Sequence, residues 1–327
     1  MTRALAICIL AMLLPSAAQP TAKVHRIGIL SSTSTADTWR TGPAFRAFLE
    51  GLRELGYVEA QNITIEFRSS NGKPGVLSGL AEELARLRPE VVLVTVCGEP
   101  LEAMRRAGPD IPIVVGTCTD DMVASGIVKS LGHPGGNVTG QQKLTPELSR
   151  KRLEIFRELA PDVTRVAVLW DPGYSGFPAD WDALRAAART LNVTLLPVEA
   201  RGPAEYEAAF ATMVAQQAGG FITMQDAHVF AERSRLAELE AASGLPAVYP
   251  YKENVIAGGL ASYGVSVPAM FRHAAVFIDK ILMGAKPADL PVEQPTRFEM
   301  AVNPKVAKAL GITIPNSILL RADEVVE

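Results

Sequence analysis

The stretch that most limits what this chain can fold into is residues 131–140, LGHPGGNVTG. A helix cannot run through it, because Pro134 lacks a backbone N–H and the paired glycines Gly135 and Gly136 favour turns. Asn137-Val138-Thr139-Gly140 then reads as a short extended crossover. On either side lies a run of apolar strands alternating with helical segments, a pattern that implies parallel sheets covered on both faces. Two such halves make an α/β protein of two Rossmann-like lobes. The cleft between them is where function is expected.

Periodicity orders the elements. Arg26–Leu30 reads as a buried strand, Ser31–Thr38 as a polar loop, and Gly42–Gly56 as a helix with Phe45, Phe48, Leu49, Leu52 and Leu55 at helical spacing. Strands follow at Ile63–Phe67, Val91–Val96 and Ile111–Gly116, separated by helices Val76–Leu87 and Pro100–Ala107. In the second half the helices are Ser149–Leu159, Trp181–Leu191, Glu205–Ala215 and Val229–Ala242. Its strands are Val166–Trp170, Val193–Val198, Gly220–Met224 and Ala247–Tyr251. Gly258–Gly264 reads as a return crossover, Pro268–Met283 as a helix packed on the first lobe, and Leu290–Val292 as a third crossing before a last strand and the helix Pro304–Leu310. The lobes are therefore expected over 23–140 plus 262–290 and over 141–261 plus 291–327.

Residues 1–22 stand outside both lobes. Arg3 gives a positive start, Ala4–Leu14 a short apolar run, and Pro15-Ser16-Ala17-Ala18 small residues for cleavage. That is the pattern of a secretory signal peptide, too short for a comfortable membrane span. Cys8 as a lipoprotein acceptor is the competing reading, disfavoured by the bulky Ile7 before it. The mature chain is thus expected in the periplasm with its leader removed. A formal charge of −3 with acids and bases intermixed speaks against nucleic acid as a partner. In an oxidising compartment Cys97 and Cys118 each end a strand, close enough for a disulfide if the strands are neighbours; two free thiols near the cleft is the alternative.

The chain resembles the substrate-binding components of ABC importers, in the branch that includes binders of aromatic amino acids. The residues that carry the likeness are Pro134–Gly140, Lys151-Arg152-Leu153-Glu154, Arg165–Pro172 (RVAVLWDP), Gly258–Gly264 (GGLASYG), Leu290–Phe298 (LPVEQPTRF), Ala309–Pro315 and Arg321–Val325. They span essentially the whole mature chain and are specific as a set. The resemblance implies a type I periplasmic binding protein fold, with three crossover strands joining the lobes. Asp171 stands where that family often has Asn, and Met122 where it often has Pro; both positions are expected to border the cleft.

In parallel α/β sheets ligands sit beyond the carboxyl ends of the strands. That rule selects the loops beginning at Ser31, Cys97, Thr117, Asp171 and Gln225. Ser31, Ser32, Thr33 and Thr35 offer hydroxyls and backbone donors before a helix, a place that suits a carboxylate or merely caps the helix. Thr95 and Thr117 are further donors, with Thr119 and Asp121 in the same loop as candidate contacts. Gly98 lets the backbone approach a ligand beside Cys97, and Glu99 or Asp120 offers a partner for an ammonium, Glu99 reading equally as a first-turn acid of a helix. From the second lobe come the carboxylates Asp171 and Asp226, Gln225, and rings at Tyr174, Phe177, Tyr249, Tyr251 and Tyr263. Tyr249 and Trp170 read equally as core, and Trp39 as a cover for the opening.

No catalytic constellation emerges. His25, His133, His228 and His273 are scattered without metal-ligand spacing, and there is no GxSxG, GxGxxG or GxxxxGK. No cofactor, metal or enzymatic activity is expected. The resemblance implies a monomeric receptor that closes on a small carboxylate-bearing ligand, an amino acid or aromatic acid, by hinge motion and delivers it to an ABC permease. The same lobes would equally serve an extracytoplasmic sensor domain.

Overall fold

The computed structural model describes residues 23–32, 35–73, 75–143, 145–174 and 176–326. Residues 1–22, Thr33 and Ser175 lie outside them. One sheet holds β1 (His25–Ser31), β2 (Ile63–Ser69), β3 (Val91–Val96), β4 (Ile113–Cys118) and β5 (Val138–Gln142), in the order β2-β1-β3-β4-β5 and parallel throughout. The other holds β6 (Arg165–Trp170), β7 (Thr194–Glu199), β8 (Gly220–Thr223), β9 (Ala247–Tyr249), β10 (Ala261–Gly264), β11 (Glu299–Val302) and β12 (Glu324–Val325). Its order is β12-β11-β10-β9-β8-β6-β7, and only the β10–β11 pair is antiparallel.

Helices α1 (Ala36–Thr41), α2 (Pro43–Glu54), α3 (Leu77–Arg86) and α4 (Glu99–Ala107) follow the first strands. Helices α5 (Thr145–Leu159), α6 (Phe177–Leu191), α7 (Tyr206–Ala215), α8 (Ala227–Ala231), α9 (Arg233–Ser243) and α10 (Lys252–Ile256) follow in the second half. Helix α11 (Val267–Leu282) returns to the first sheet, packing on α2 and β4, whereas α12 (Pro304–Ala309) and α13 (Asn316–Leu319) belong with the second. Strands covered on both faces read as unbroken apolar runs, as in VVLVTV of β3 and IVVGTC of β4. On α11 the buried Phe271, Ala274, Ala275 and Ile278 recur at helical spacing, so one stripe faces the core.

The chain passes between the sheets three times: after β5, after β10 and over residues 290–298. The third passage is fastened along the first. Val292 N donates to Leu131 O at 2.7 Å, Glu293 N to Gly140 O at 3.0 Å, and Gln142 N to Glu293 O at 2.9 Å, while Thr139 Oγ1 donates to Leu290 O at 2.7 Å. Gln141, buried, donates from Nε2 to Met270 O at 2.7 Å, which ties β5 to α11 just past the second passage.

A buried polar network stiffens the second half. Arg152 of α5 is fully buried and donates to Ser149 Oγ at 2.7 Å and to Tyr263 O at 3.3 Å. Ser149 Oγ and the Tyr174 hydroxyl in turn donate to Asp180 Oδ2 at 2.8 and 3.1 Å. Burial pushes the Asp180 carboxyl up, with Arg152 opposing it. Buried charges persist when paired and hydrogen-bonded, and here the network also fixes the Tyr174 ring.

Several expectations shift. The loop expected to Thr38 ends sooner, because α1 begins at Ala36, and α6 starts at Phe177 with Pro178 in its first turn. One helix expected over Val229–Ala242 is two, because Glu232 leaves helical dihedrals (φ −98°, ψ 24°) between α8 and α9. Gly258–Gly264 is not a free crossover: its second half is β10, inside the second sheet. Trp39 does not cap an opening but is 7% exposed, packed on Phe45, Phe67 and Phe271. Met122 is fully buried in the core of the first sheet.

Gly140 sits where β5 meets β4, with φ 135° and no room for a side chain, since a Cβ would stand 2.2 Å from Val115 O. Gly140→Ala should therefore destabilise the fold by about 3 kcal/mol, as overpacking of a core does. Urea denaturation of the purified variant measures this; an unchanged midpoint would show that the β4–β5 contact does not constrain the first crossing.

Candidate functional site

The carboxyl ends of both sheets face one cavity of about 830 Å³. On the first side it is lined by Ser31, Ser32 and Thr35 after β1, by Thr95, Cys97, Gly98 and Glu99 at the end of β3, and by Thr117, Thr119 and Asp120 at the end of β4. The second side contributes Asp171 and Tyr174 after β6, Gln225 and Asp226 after β8, and Tyr251 after β9. Two residues anticipated there stand elsewhere. Asp121 turns back to accept from Val123 N at 2.9 Å and Ala124 N at 3.0 Å, and the Tyr263 ring packs on Phe298 with centroids 6.2 Å apart. Of the other rings, Phe177 is stacked between Trp170 and Trp181 at centroid distances of 3.7 and 5.6 Å, and Tyr249 is core.

Register explains the first wall. Val96 pairs with Thr117, so the next step along each strand brings Cys97 beside Cys118, and the two are joined by a disulfide with Cα atoms 5.0 Å apart. The Asp120 carboxylate lies within 4.8 Å of these sulfurs, yet disulfide sulfurs are not thiolates, so the trio builds no metal centre while the bridge stands. Gly98 follows with φ 81° and ψ −142°, a conformation open to glycine alone, which turns the chain into α4 and leaves Glu99 in its first turn. The Ser31 and Ser32 carbonyls accept from Ser70 N at 3.2 Å and Gly72 N at 2.7 Å, so the loop after β2 is bound to the loop after β1.

Acids dominate the second wall. Asp226 caps α8, its Oδ1 accepting from Val229 N at 2.9 Å, and burial with the neighbouring Asp171 pushes its carboxyl up to about 6 against the pull of Val229 N–H and His228. Asp171 accepts from Gly173 N at 2.7 Å and faces His228, Nε2 to Oδ2 3.9 Å. Gln225 is fully buried with neither side-chain N nor O partnered.

The sequence reasoning missed part of the lining. Phe230 and Phe271 supply aromatic surface beside Trp39, which was expected at the opening. Residues 70–73 line the cavity because the strand-end rule applies to β2 as well. Lys143, directly after β5, is 5% exposed; burial first, and Arg152 second, pull its ammonium down to about 7, while Asp226 holds it up. Its signal was a lone cation between the polar strand end Gln141-Gln142 and a helix start. Among the described residues no helix is long and apolar enough to cross a membrane.

The comparisons agree with this architecture. A family model for ABC transporter substrate binding proteins matches residues 42–326. A tyrosine-binding protein of Clostridioides difficile is 22% identical over 284 residues, 86% of this chain and 81% of that one. Among solved structures, an ABC domain from Streptococcus pneumoniae in complex with L-Trp superposes with a TM-score of 0.83 at 24% identity, covering 93% of this chain and 100% of that one. A ligand-free, open substrate binding protein from Clostridium difficile does so with a TM-score of 0.64 at 22% identity, covering 93% and 99%. The α/β fold with two mainly parallel sheets is of the periplasmic binding protein type I kind, shared with a solute binding protein from Burkholderia multivorans at a TM-score of 0.59 and 11% identity, over 85% of this chain and 99% of that one.

The bridge closes a loop of 21 residues between β3 and β4. Replacing both cysteines with serine should lower stability by about 3 kcal/mol in urea denaturation, from the freed chain entropy of the unfolded state. A loss below about 1 kcal/mol would mean that the paired strands alone hold the loop ends.

Proposed function

The chain belongs to the ABC transporter substrate binding protein family, and from that membership we propose that it is the exported receptor of an importer. It takes up a small carboxylate-bearing ligand, an amino acid or an aromatic acid, between its lobes, and hands it to a membrane permease. Members of this family are non-catalytic, extracytoplasmic binders of small molecules. The periplasm as location, removal of the leader and a monomeric state complete the proposal.

The observation that supports it is the composition of the cavity's two sides. Hydroxyls of the loop after β1 face the acids Asp171 and Asp226 across about 830 Å³, with rings between them at Trp39, Tyr174, Phe230, Tyr251 and Phe271. A ligand that touches both sides binds the closed arrangement better than an open one, and only such a difference can drive closure. Rings favour a flat apolar body, and Asp226 favours an ammonium. The tyrosine-binding relative and the L-Trp complex lend weight to an aromatic amino acid. Asp171, in place of the family's Asn, adds negative charge to that wall.

Thermal shift against L-tyrosine, L-tryptophan and benzoate should give a rise in melting temperature with at least one, by mass action on the folded state. Ser32→Ala and Asp226→Ala should each weaken that ligand about tenfold without unfolding the protein, the size of one hydrogen bond or one screened charge contact. Unchanged affinity in both variants would remove the two-sided pose.

The Asp226 carboxyl also gives a pH signature. Its folded value, about 6, lies above the ordinary carboxylate range, so in the empty cleft the group favours folding at low pH and loses that contribution as pH rises through about 6. A ligand ammonium favours the ionised form. Affinity for L-tyrosine or L-tryptophan should therefore fall as pH drops through about 6, and titration calorimetry between pH 5 and 8 measures it; affinity flat with pH would put the ammonium elsewhere.

A further inference from the structure

Lys143 is the cation buried deepest in the cavity wall, and nothing above gives it a task. It stands on the first crossing, 5% exposed. Its contacts are with Tyr251: Nζ donates to the hydroxyl oxygen at 3.4 Å and lies 5.3 Å from the ring centroid. The Tyr251 hydroxyl donates onward to the Asp226 carbonyl at 3.2 Å. Among the described residues no carboxylate pairs with this ammonium. Lysine is almost never fully buried unpaired, and its three donors are here offered one phenol oxygen.

A second, independent observation points the same way. Gln225, fully buried at the end of β8, lines the same cavity with its amide nitrogen and oxygen both unpartnered. Buried polar groups are ordinarily satisfied, so two unspent side chains on one cavity wall, one of them cationic, call for an anionic partner. The other charges near Lys143 are engaged: Asp226 in capping α8, and Arg152 with Ser149 and the Tyr263 carbonyl. Arg233 lies 5.8 Å from the Phe230 ring centroid and donates to the Phe230 carbonyl, and Lys73 is exposed.

We propose that Lys143, with the Gln225 amide beside the same cavity, is the residue that selects the ligand's carboxylate, so that this receptor takes acids and rejects their neutral amides. The proposal rests on the receptor reading above and names the charged group that reads the acid end, alongside the hydroxyl loop after β1. Lys143 and Asp226 line the same cavity, Tyr251 bridging Lys143 Nζ to the Asp226 backbone carbonyl, and their opposite charges suit the ammonium and carboxylate of an α-amino acid. A carboxylate bound here would pair directly with the Lys143 ammonium and favour its charged form, against the burial that disfavours it.

The test compares acids with their amides on wild type and on Lys143→Met, a size-matched neutral variant. L-Tryptophan, L-tyrosine and benzoate, and their three carboxamides, are titrated by calorimetry, with melting temperatures of the unliganded proteins as the control. Wild type should prefer at least one acid over its amide by about 100-fold, and Lys143→Met should shrink that preference to within about threefold. Unliganded Lys143→Met should melt no lower than wild type, because it removes an unpaired buried charge; a marked drop would assign Lys143 to the fold and overturn the proposal. Equal binding of acid and amide by wild type, or a preference that survives in Lys143→Met, would overturn the selector role and leave the receptor standing. Binding of none of the six compounds to wild type would overturn the carboxylate class and the selector with it.

Discussion

Three passages of one chain between two sheets, held side by side, set the conditions for everything else in this protein. Their hydrogen bonds fasten residues 290–293 along β5, and Gln141 fastens β5 to α11. Parallel strands demand that each sheet turn the same end toward its ligand, since every crossover helix returns the chain to the opposite edge. With both sheets so directed and the passages bundled, their carboxyl ends open onto one cavity. Hydrogen bonds hold 290–293 to β5, so the change of angle that closure needs falls to residues outside those contacts.

Around that cavity the charges divide by depth. Exposed pairs such as Arg185–Asp182 are worth little and can come and go with salt. Deeper groups are placed by the fold. Arg152, Ser149, Asp180 and Tyr174 are hydrogen-bonded to one another within the second wall. Gln225 is equally deep with its amide unpartnered, Lys143 has one phenol oxygen for its three donors, and Asp226 carries a carboxyl pushed up toward neutrality. Deep polar groups bonded to one another build a wall, whereas those that line the cavity gain most from a ligand that completes their hydrogen bonds.

Much of this was legible in the residues. Unbroken apolar runs such as Val91–Val96 announced parallel strands, and Pro134-Gly135-Gly136 marked a break in the chain, because proline and glycine act locally. The Asn137–Gly140 stretch read as a crossover instead leads into β5: Val138–Gly140 lie in the first sheet, and the first passage comes after them. The loops at Ser31, Cys97, Asp171 and Gln225 followed from strand direction alone. What failed to show was whatever depended on tertiary packing. Nothing local distinguishes Trp39 as core from Trp39 as lid, or turns the Tyr263 ring toward Phe298 and away from the cleft. Asp121 looked like a ligand carboxylate because its own turn was invisible. Lys143 escaped notice since a single lysine before a helix is ordinary on a surface, and only the three-dimensional fold shows that this one is buried.

The central claim is that the cavity between the sheets exists to hold one small acid. Native mass spectrometry of the gently purified mature protein tests it most directly, because it reads the mass of whatever the cleft retains. The account predicts one bound molecule per chain, released on activation, whose formula contains a carboxyl group. A retained molecule without an acid group, or one converted to a different mass on standing with the protein, would contradict it.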